Sequence, residues 1–269
     1  MHITSLHSYP VKSMAGVDAE HLDIDAGGPV GDRRWAVVDA RTGAKVTARE
    51  VPAMLRVVTR VTTDGVDLET SDGASLAVAY PHDGARVTTD FAQLSHALDA
   101  GDEAAAFVSD ALGRHLRLVW QAAFADRPSR QNLGGLEGEV LSLADAGPLL
   151  LTSESSLSRL QEWVGAETHL EMARFRPNVV IDGDAPFDED AWDRLRLGGI
   201  DFRMQQTCDR CVMTTIHPIT LAKGKEPIRT LAQRRKWDGA VWFGVWLAPL
   251  AQGRIHVGEV ISVEAGCRR

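Results

Sequence analysis

The chain has 269 residues, 44% hydrophobic and 25% charged, which are ordinary globular values. That length exceeds a usual single core, so one large domain or two closely packed ones is expected. Thirty-seven acidic against 29 basic residues give a net charge of −8, which excludes a dedicated nucleic-acid binder but not a local anion site.

The first ~90 residues read as strands. HITSLHSYPV, HLDID, RRWAVVD, AKVTA, LRVVTRVTT, GVDLET and SLAVAY are short, rich in β-branched and aromatic residues, and punctuated by Gly, Asp or Pro. A barrel or sandwich is expected there. ALDAGDEAAAFVSDALGRHL then carries helical spacing in its second half, through Phe107, Val108, Leu112 and Leu116. SESSLSRLQEWVG predicts a helix capped by Ser153 or Ser155 and ended by Gly165, with Leu157, Leu160 and Trp163 as its stripe. RPNVVIDG, DFRMQQ and CVMTTI read as strands, and EPIRTLAQRRK as a short helix with Pro227 in its first turn. WFGVWLAPL and RIHVGEVISV read as closing strands. The fold class is α+β and β-rich, with a barrel-like domain at 1–95 and a second domain at 96–265. No run of about 18 apolar residues occurs, so no integral membrane segment is expected. MHITSLHSYPVKS lacks the features of a secretory signal. Three cysteines, Cys208, Cys211 and Cys267, suit a reducing cytoplasm.

The most informative segment is QQTCDRCVMTTIHPIT, residues 205–220. Its Cys-x-x-Cys admits three local readings. A structural zinc site needs four ligands, and only His217 is near. A redox pair would open a helix in a βαβ unit, whereas VMTTI reads as strand. Two buried, inert cysteines are the third. The seven tryptophans are read as core or pocket wall rather than as an electron-transfer chain.

TCDRCVMTTIHP resembles the cysteine signature of MOSC-domain proteins, the family that includes the mitochondrial amidoxime-reducing component and its bacterial relatives. SYPVKSMAGV, GDRRWAVVD, KVTARE, DAGPLLLTSESSL, FRPNVVIDG, EPIRTLAQRR, FGVWLAP and HVGEVISV resemble further blocks, in family order, from about residue 3 to 264. The resemblance implies an N-terminal β-barrel-like domain packed on a MOSC domain with a β-barrel core and peripheral helices. It implies the molybdenum cofactor (molybdopterin with Mo) in a cleft between them, with Cys211 as catalytic residue and metal ligand. A soft thiolate suits a metal held beside other sulfurs.

For phosphate and pterin the resemblance implies Lys12, Ser13, Arg33, Arg176 and Asn178. Lys offers a point charge, Arg a planar fork and Asn a matched donor and acceptor. Asp209, Arg210, Ala146, Gly147 and Trp246 complete the implied cofactor set. On a strand, Arg210 would point away from Cys211, making its backbone N–H the expected contact. Ala146 and Gly147 stand where relatives carry Thr-Ser, which removes two hydroxyls while Gly147 permits close approach to a ligand. His217-Pro218-Ile219-Thr220 stands where D-P-x-T-G is common, and Trp246 where Tyr or Asn is frequent. His217 is read as an exposed turn residue, with proton donation as the alternative.

The implied reaction is reduction of a small N-hydroxylated substrate by two electrons and two protons, giving the amine and water. Only EAGCRR follows Val263, too little for an iron–sulfur domain, so a separate electron-donor protein is expected, either a reductase or an iron–sulfur or haem protein. The alternative is a non-redox carrier of the cofactor, or of persulfide sulfur on Cys211.

Overall fold

Alternation along the early segments becomes two-sided packing. The structure, a computed structural model, describes residues 1–265, so Cys267 lies outside the described residues. In strand Trp35–Asp39, Trp35 and Val37 enter one core while Ala36 and Val38 enter another with Phe91, Leu94 and Leu143. A strand buried on both faces needs this uninterrupted apolar run. It sits in a five-stranded sheet ordered Arg86–Phe91, Leu94–Asp99, Leu116–Trp120, Trp35–Asp39, Lys45–Val46. Val58–Val61, Gly65–Glu69 and Ser75–Ala79 form a three-stranded sheet that closes the same core. Helix α1 (Asp102–Leu112) buries Ala104, Val108 and Leu112 there and ends at Gly113 with φ 64°.

The second half is built on a nine-stranded sheet. Its order is Val17–Ala19, Ile3–Ser8, Val179–Ile181, Leu149–Ser153, Ala240–Pro249, Ile200–Asp209, Trp192–Leu197, Ile261–Ala265, with Lys236–Trp237 beside Ala240–Pro249. The first strand of the chain thus belongs to the sheet of the second half. The segment after it, 9–13, crosses between the halves: His7 N–H donates to Asn178 O and Lys12 N–H to Trp35 O. This crossing later brings residues distant in sequence to one site.

Period-two geometry decides which residues face that site. Leu149 and Leu151 point into the core with Ile3, Val179, Phe202 and Val245. Leu150, between them, packs on the other face with Cys208 and Trp246.

Helix α2 (Glu154–Val164) starts where expected: Ser153 Oγ accepts from Ser156 N–H, and Gly165 ends it. Leu160 is buried with Phe175, Leu231 and Phe243, and α3 (Ile228–Arg234) follows Pro227. Among the described residues no helix is long and apolar enough to cross a membrane.

Two segments depart from expectation. Leu116, read with the helical spacing of Phe107, Val108 and Leu112, instead opens strand Leu116–Trp120, because left-handed Gly113 ends the helix first. Residues 212–216 do not form a strand: Val212–Thr215 is a 3-10 turn. Thr214 Oγ1 donates to Cys211 O at 3.0 Å and Thr215 Oγ1 to Val212 O at 2.7 Å. These local bonds compete successfully with β-propensity, which depends on cross-strand neighbours; here only Ile216 has one, in a single bridge to Lys223.

Candidate functional site

A cavity of about 350 Å³ lies on the Leu150 side of the large sheet. Lys12, Ser13 and Arg33 reach it from the crossing segment and the 31–34 turn. Ala146 comes from the loop before Leu149–Ser153, Trp246 from strand Ala240–Pro249, and Arg176 from the turn before Val179–Ile181. Asp209, Arg210 and Cys211 close the end of strand Ile200–Asp209. Gly147 and Asn178 do not line it.

Three of these residues have left-handed backbones: Ser13 (φ 69°), Arg33 (φ 50°) and Arg176 (φ 54°). Such φ values are uncommon outside glycine and persist where surroundings over-determine them. Arg33 N–H is held by Tyr9 O, Arg33 O accepts from Leu143 N–H, and Arg176 N–H donates to Ala173 O.

The lining is strongly cationic. Lys12, Arg33, Arg49, Arg130, Arg174, Arg176 and Arg210 face two carboxylates, Asp145 and Asp209. Lys12 Nζ donates to Asp145 Oδ1 at 2.5 Å and Leu143 O at 2.8 Å. Lys12 beside it holds the Asp145 carboxyl well below its ordinary range, while burial pushes Lys12 down. Arg176 stacks on Tyr9, its guanidinium 4.3 Å from the ring centroid, and burial lowers its pKa to about 10. Burial raises the Tyr9 phenol to about 12.

Arg176 Nη2, Arg130 Nε, Arg174 Nε and Arg210 Nε are buried with no hydrogen-bond partner. A buried, unpaired donor carries a desolvation cost of about 1–3 kcal/mol, and more on a charged group. Four such side chains lie around one cavity whose lining carries seven cationic groups against two carboxylates, a lining whose charge suits an anion. The two cysteines of the described residues differ. Cys208 is 1% exposed, and burial pushes its thiol up against the opposing Arg210. Cys211 is half-buried and free.

The mitochondrial amidoxime-reducing component 1 of Mus musculus is 30% identical over 281 residues, covering 96% of this chain and 81% of that protein. The MOSC N-terminal beta barrel domain matches residues 1–115 and the MOSC domain residues 138–262. The chain belongs to the MOSC-domain family. Molybdenum cofactor sulfurase of Oryza sativa subsp. japonica is 29% identical over 280 residues, 92% of this chain. The chain spans about a third of that protein's length (32%). The YUAD protein of Bacillus subtilis superposes with a TM-score of 0.47 at 13% identity, over 98% of this chain and 96% of that one.

Several expectations for this MOSC-domain protein need correction. Asn178 was expected at a heterocycle edge, but its amide is saturated by protein. Oδ1 accepts from Arg33 Nη1 (3.0 Å) and Leu150 N–H (3.2 Å); Nδ2 donates to Asp32 Oδ1 (3.0 Å) and His7 O (3.2 Å). Asn178 therefore positions Arg33 from behind. The Arg210 backbone N–H was the expected contact, but it donates to Val241 O at 2.8 Å. The guanidinium is what reaches the site, donating to Cys208 Sγ at 2.9 Å and Phe175 O at 2.6 Å.

Gly147 makes room for a neighbour rather than a ligand: a Cβ there would lie 2.5 Å from Gln205 Oε1 and 2.6 Å from Trp246 Cβ. Gly147→Ala should destabilise the fold by about 1–3 kcal/mol through overpacking, read as a lower urea midpoint with unchanged m-value. His217 lies outside this cavity. Its Nδ1 accepts from Ile219 N–H (3.2 Å) and Thr220 N–H (3.3 Å), the work a turn carboxylate commonly does. It therefore keeps its neutral-form proton at Nε2.

Arg49, Arg130, Arg174 and Asp145 line the cavity without having been singled out from sequence. Arg49 and Asp145 lay within quoted blocks, KVTARE and DAGPLLL. Arg130 and Arg174 carry no local signal, because an arginine is commonplace until its surroundings leave it unpaired.

Proposed function

We propose that the protein binds the molybdenum cofactor in this cavity, with Cys211 as its metal ligand, and reduces small N-hydroxylated compounds. The observation that carries the reading is the ring of unpartnered arginine nitrogens around a half-buried free thiol. The donor set fits the cofactor's chemistry. A terminal phosphate calls for cationic forks such as Arg176 and Arg130, and a soft metal calls for a thiolate. The relatives named for amidoxime reduction and for the molybdenum cofactor support it.

When bound, the cofactor would supply two-electron redox chemistry at a metal with an open position. The chain's own residues do the rest. Arg176, Arg130 and Arg174 hold negative charge, assisted by Ser13. Lys12, neutralised by Asp145, sets the wall beside them, and Asp32 and Asn178 fix the Arg33 guanidinium. Trp246, Leu150 and Phe175 exclude water from one side, which strengthens every charge interaction within. Overall, an N-hydroxylated substrate with two electrons and two protons gives the amine and water. The electrons come from a separate donor protein. Both cysteines of the described residues line this one cavity, so those residues build no four-cysteine cluster. The cytoplasm is the proposed setting.

The test is metal and pterin content after expression in hosts able and unable to make the cofactor. Wild type and Cys208→Ala from the competent host should carry molybdenum, and Cys211→Ala should lose it. Arg176→Ala should retain at least about tenfold less pterin. Wild type free of molybdenum would sink the reading and favour the second one, a sulfur carrier on Cys211, which the sulfurase relatives support.

A further inference from the structure

Cys208 is set apart from Cys211 by its surroundings. It packs on Leu150 and Trp246 at the cavity wall, and its sulfur has two partners. The S–H donates to Asp209 O at 3.6 Å, and Sγ accepts from Arg210 Nη1 at 2.9 Å. That fills the capacity of a thiol, one weak donor and one weak acceptor. A sulfur engaged in this way keeps its proton and turns its lone pair to a cation, so it does not compete for a soft metal. Cys211, three residues on, is half-buried and free.

The consequence falls on Arg210. Its Nη1 is held by Cys208 Sγ and its Nη2 by Phe175 O at 2.6 Å, with the guanidinium 5.4 Å from the Phe175 ring centroid. Phe175 is itself locked in the core, its ring centroid 4.1 Å from that of Phe243. The guanidinium is therefore gripped by two acceptors from different segments, strand Ile200–Asp209 and the turn before Val179–Ile181. Its Nε is buried without a partner, on a residue that lines the cavity. A planar fork with two corners fixed presents its third in one orientation only. That donor belongs to the residue next to the free thiol.

We propose that Cys208 is a positioning residue: its thiol, with the Phe175 carbonyl, fixes the Arg210 guanidinium so that Nε is kept as a hydrogen-bond donor to the cofactor bound at Cys211. This rests on the cofactor reading for the ligand, while the clamp itself rests on Cys208, Phe175 and Arg210. The two cysteines divide the work. Cys211 offers sulfur to the metal, and Cys208 orients the charge beside it. Without the clamp Arg210 still lies at the cavity, but its guanidinium must be ordered when the ligand arrives, which weakens binding.

Two measurements test it. The first follows the loss of bound pterin on dilution of protein from the cofactor-competent host. Cys208→Ala is isolated with cofactor but should lose it at least about tenfold faster than wild type, as should Arg210→Met. In the Arg210→Met background, Cys208→Ala should add less than about twofold. An equal effect of Cys208→Ala in both backgrounds, or none in either, overturns the positioning role and leaves Cys208 as packing alone. Loss of molybdenum from Cys208→Ala with pterin retained overturns it too, because Cys208 is then a ligand. The second measurement is NMR of protein from a host unable to make the cofactor. The Arg210 Nε–H signal, identified by its absence from Arg210→Met, should exchange with water at least about tenfold faster in Cys208→Ala. Unchanged exchange overturns the clamp. Wild type that carries no pterin refutes the cofactor reading, and the NMR comparison still decides the clamp.

Discussion

Asp32→Ala should cost about 3–5 kcal/mol of unfolding free energy, since it breaks a buried pair and leaves the other charge uncompensated. Asp32 is 2% exposed. Its Oδ1 accepts from Tyr9 N–H at 2.8 Å and Asn178 Nδ2 at 3.0 Å, and its Oδ2 from Arg33 Nη1. Arg33 in turn donates to Asn178 Oδ1 and Arg176 O, each at 3.0 Å. One carboxylate thus ties the crossing segment, the 31–34 turn and the Arg176 turn, all three of which supply the cavity. Urea unfolding reads the loss directly. Asp32→Ala combined with Arg33→Met should recover part of it, because the orphaned charge is then gone. A loss under about 1 kcal/mol, typical of an exposed pair, would show that the network does not hold the halves together.

Glu189→Gln should flatten the pH dependence of stability. Glu189 is 1% exposed, with Ser156 Oγ donating to Oε1 at 2.7 Å and Ser153 Oγ within 3.3 Å of Oε2. Burial is the main cause that lifts its pKa from 4.5 to about 7, and Asp190 adds to it. The folded pKa lies above the unfolded one, so the folded state holds the extra proton. The stability this contributes is fully present below about pH 4.5 and is lost as pH rises through about 7. A shift of this size corresponds to ~3 kcal/mol. Wild type should lose about that much between pH 4.5 and 8, and Glu189→Gln should not. Equal slopes for both proteins in urea unfolding would refute this.

Much of the fold was legible because its causes are local. Ser153 caps α2, Gly165 stops it and Pro227 precedes α3, as side-chain chemistry dictates. The 212–215 turn was not legible: its β-branched run suggested a strand, and two threonine hydroxyls redirected it.

The sites divide along the same line. Lys12, Ser13, Arg33, Arg176 and Cys211 could be named from motifs, and the structure gathers them at one cavity. The same motifs put Asn178 and Gly147 at the ligand, where they support Arg33 and Trp246 instead. A motif records that a residue type is needed, not which of its atoms are already used.

The sequence by itself determined the family and the β-rich class, since these follow from residue types and from motif blocks in family order. Only the tertiary structure decided which donors are free. Arg176 and Arg174 lack partners while Asn178 has all of its own, and that outcome depends on residues 171 apart in the chain being paired, as His7 and Asn178 are. Hydrogen-bond satisfaction is a property of neighbours in space, and the crossing of the first strand into the second half's sheet sets those neighbours.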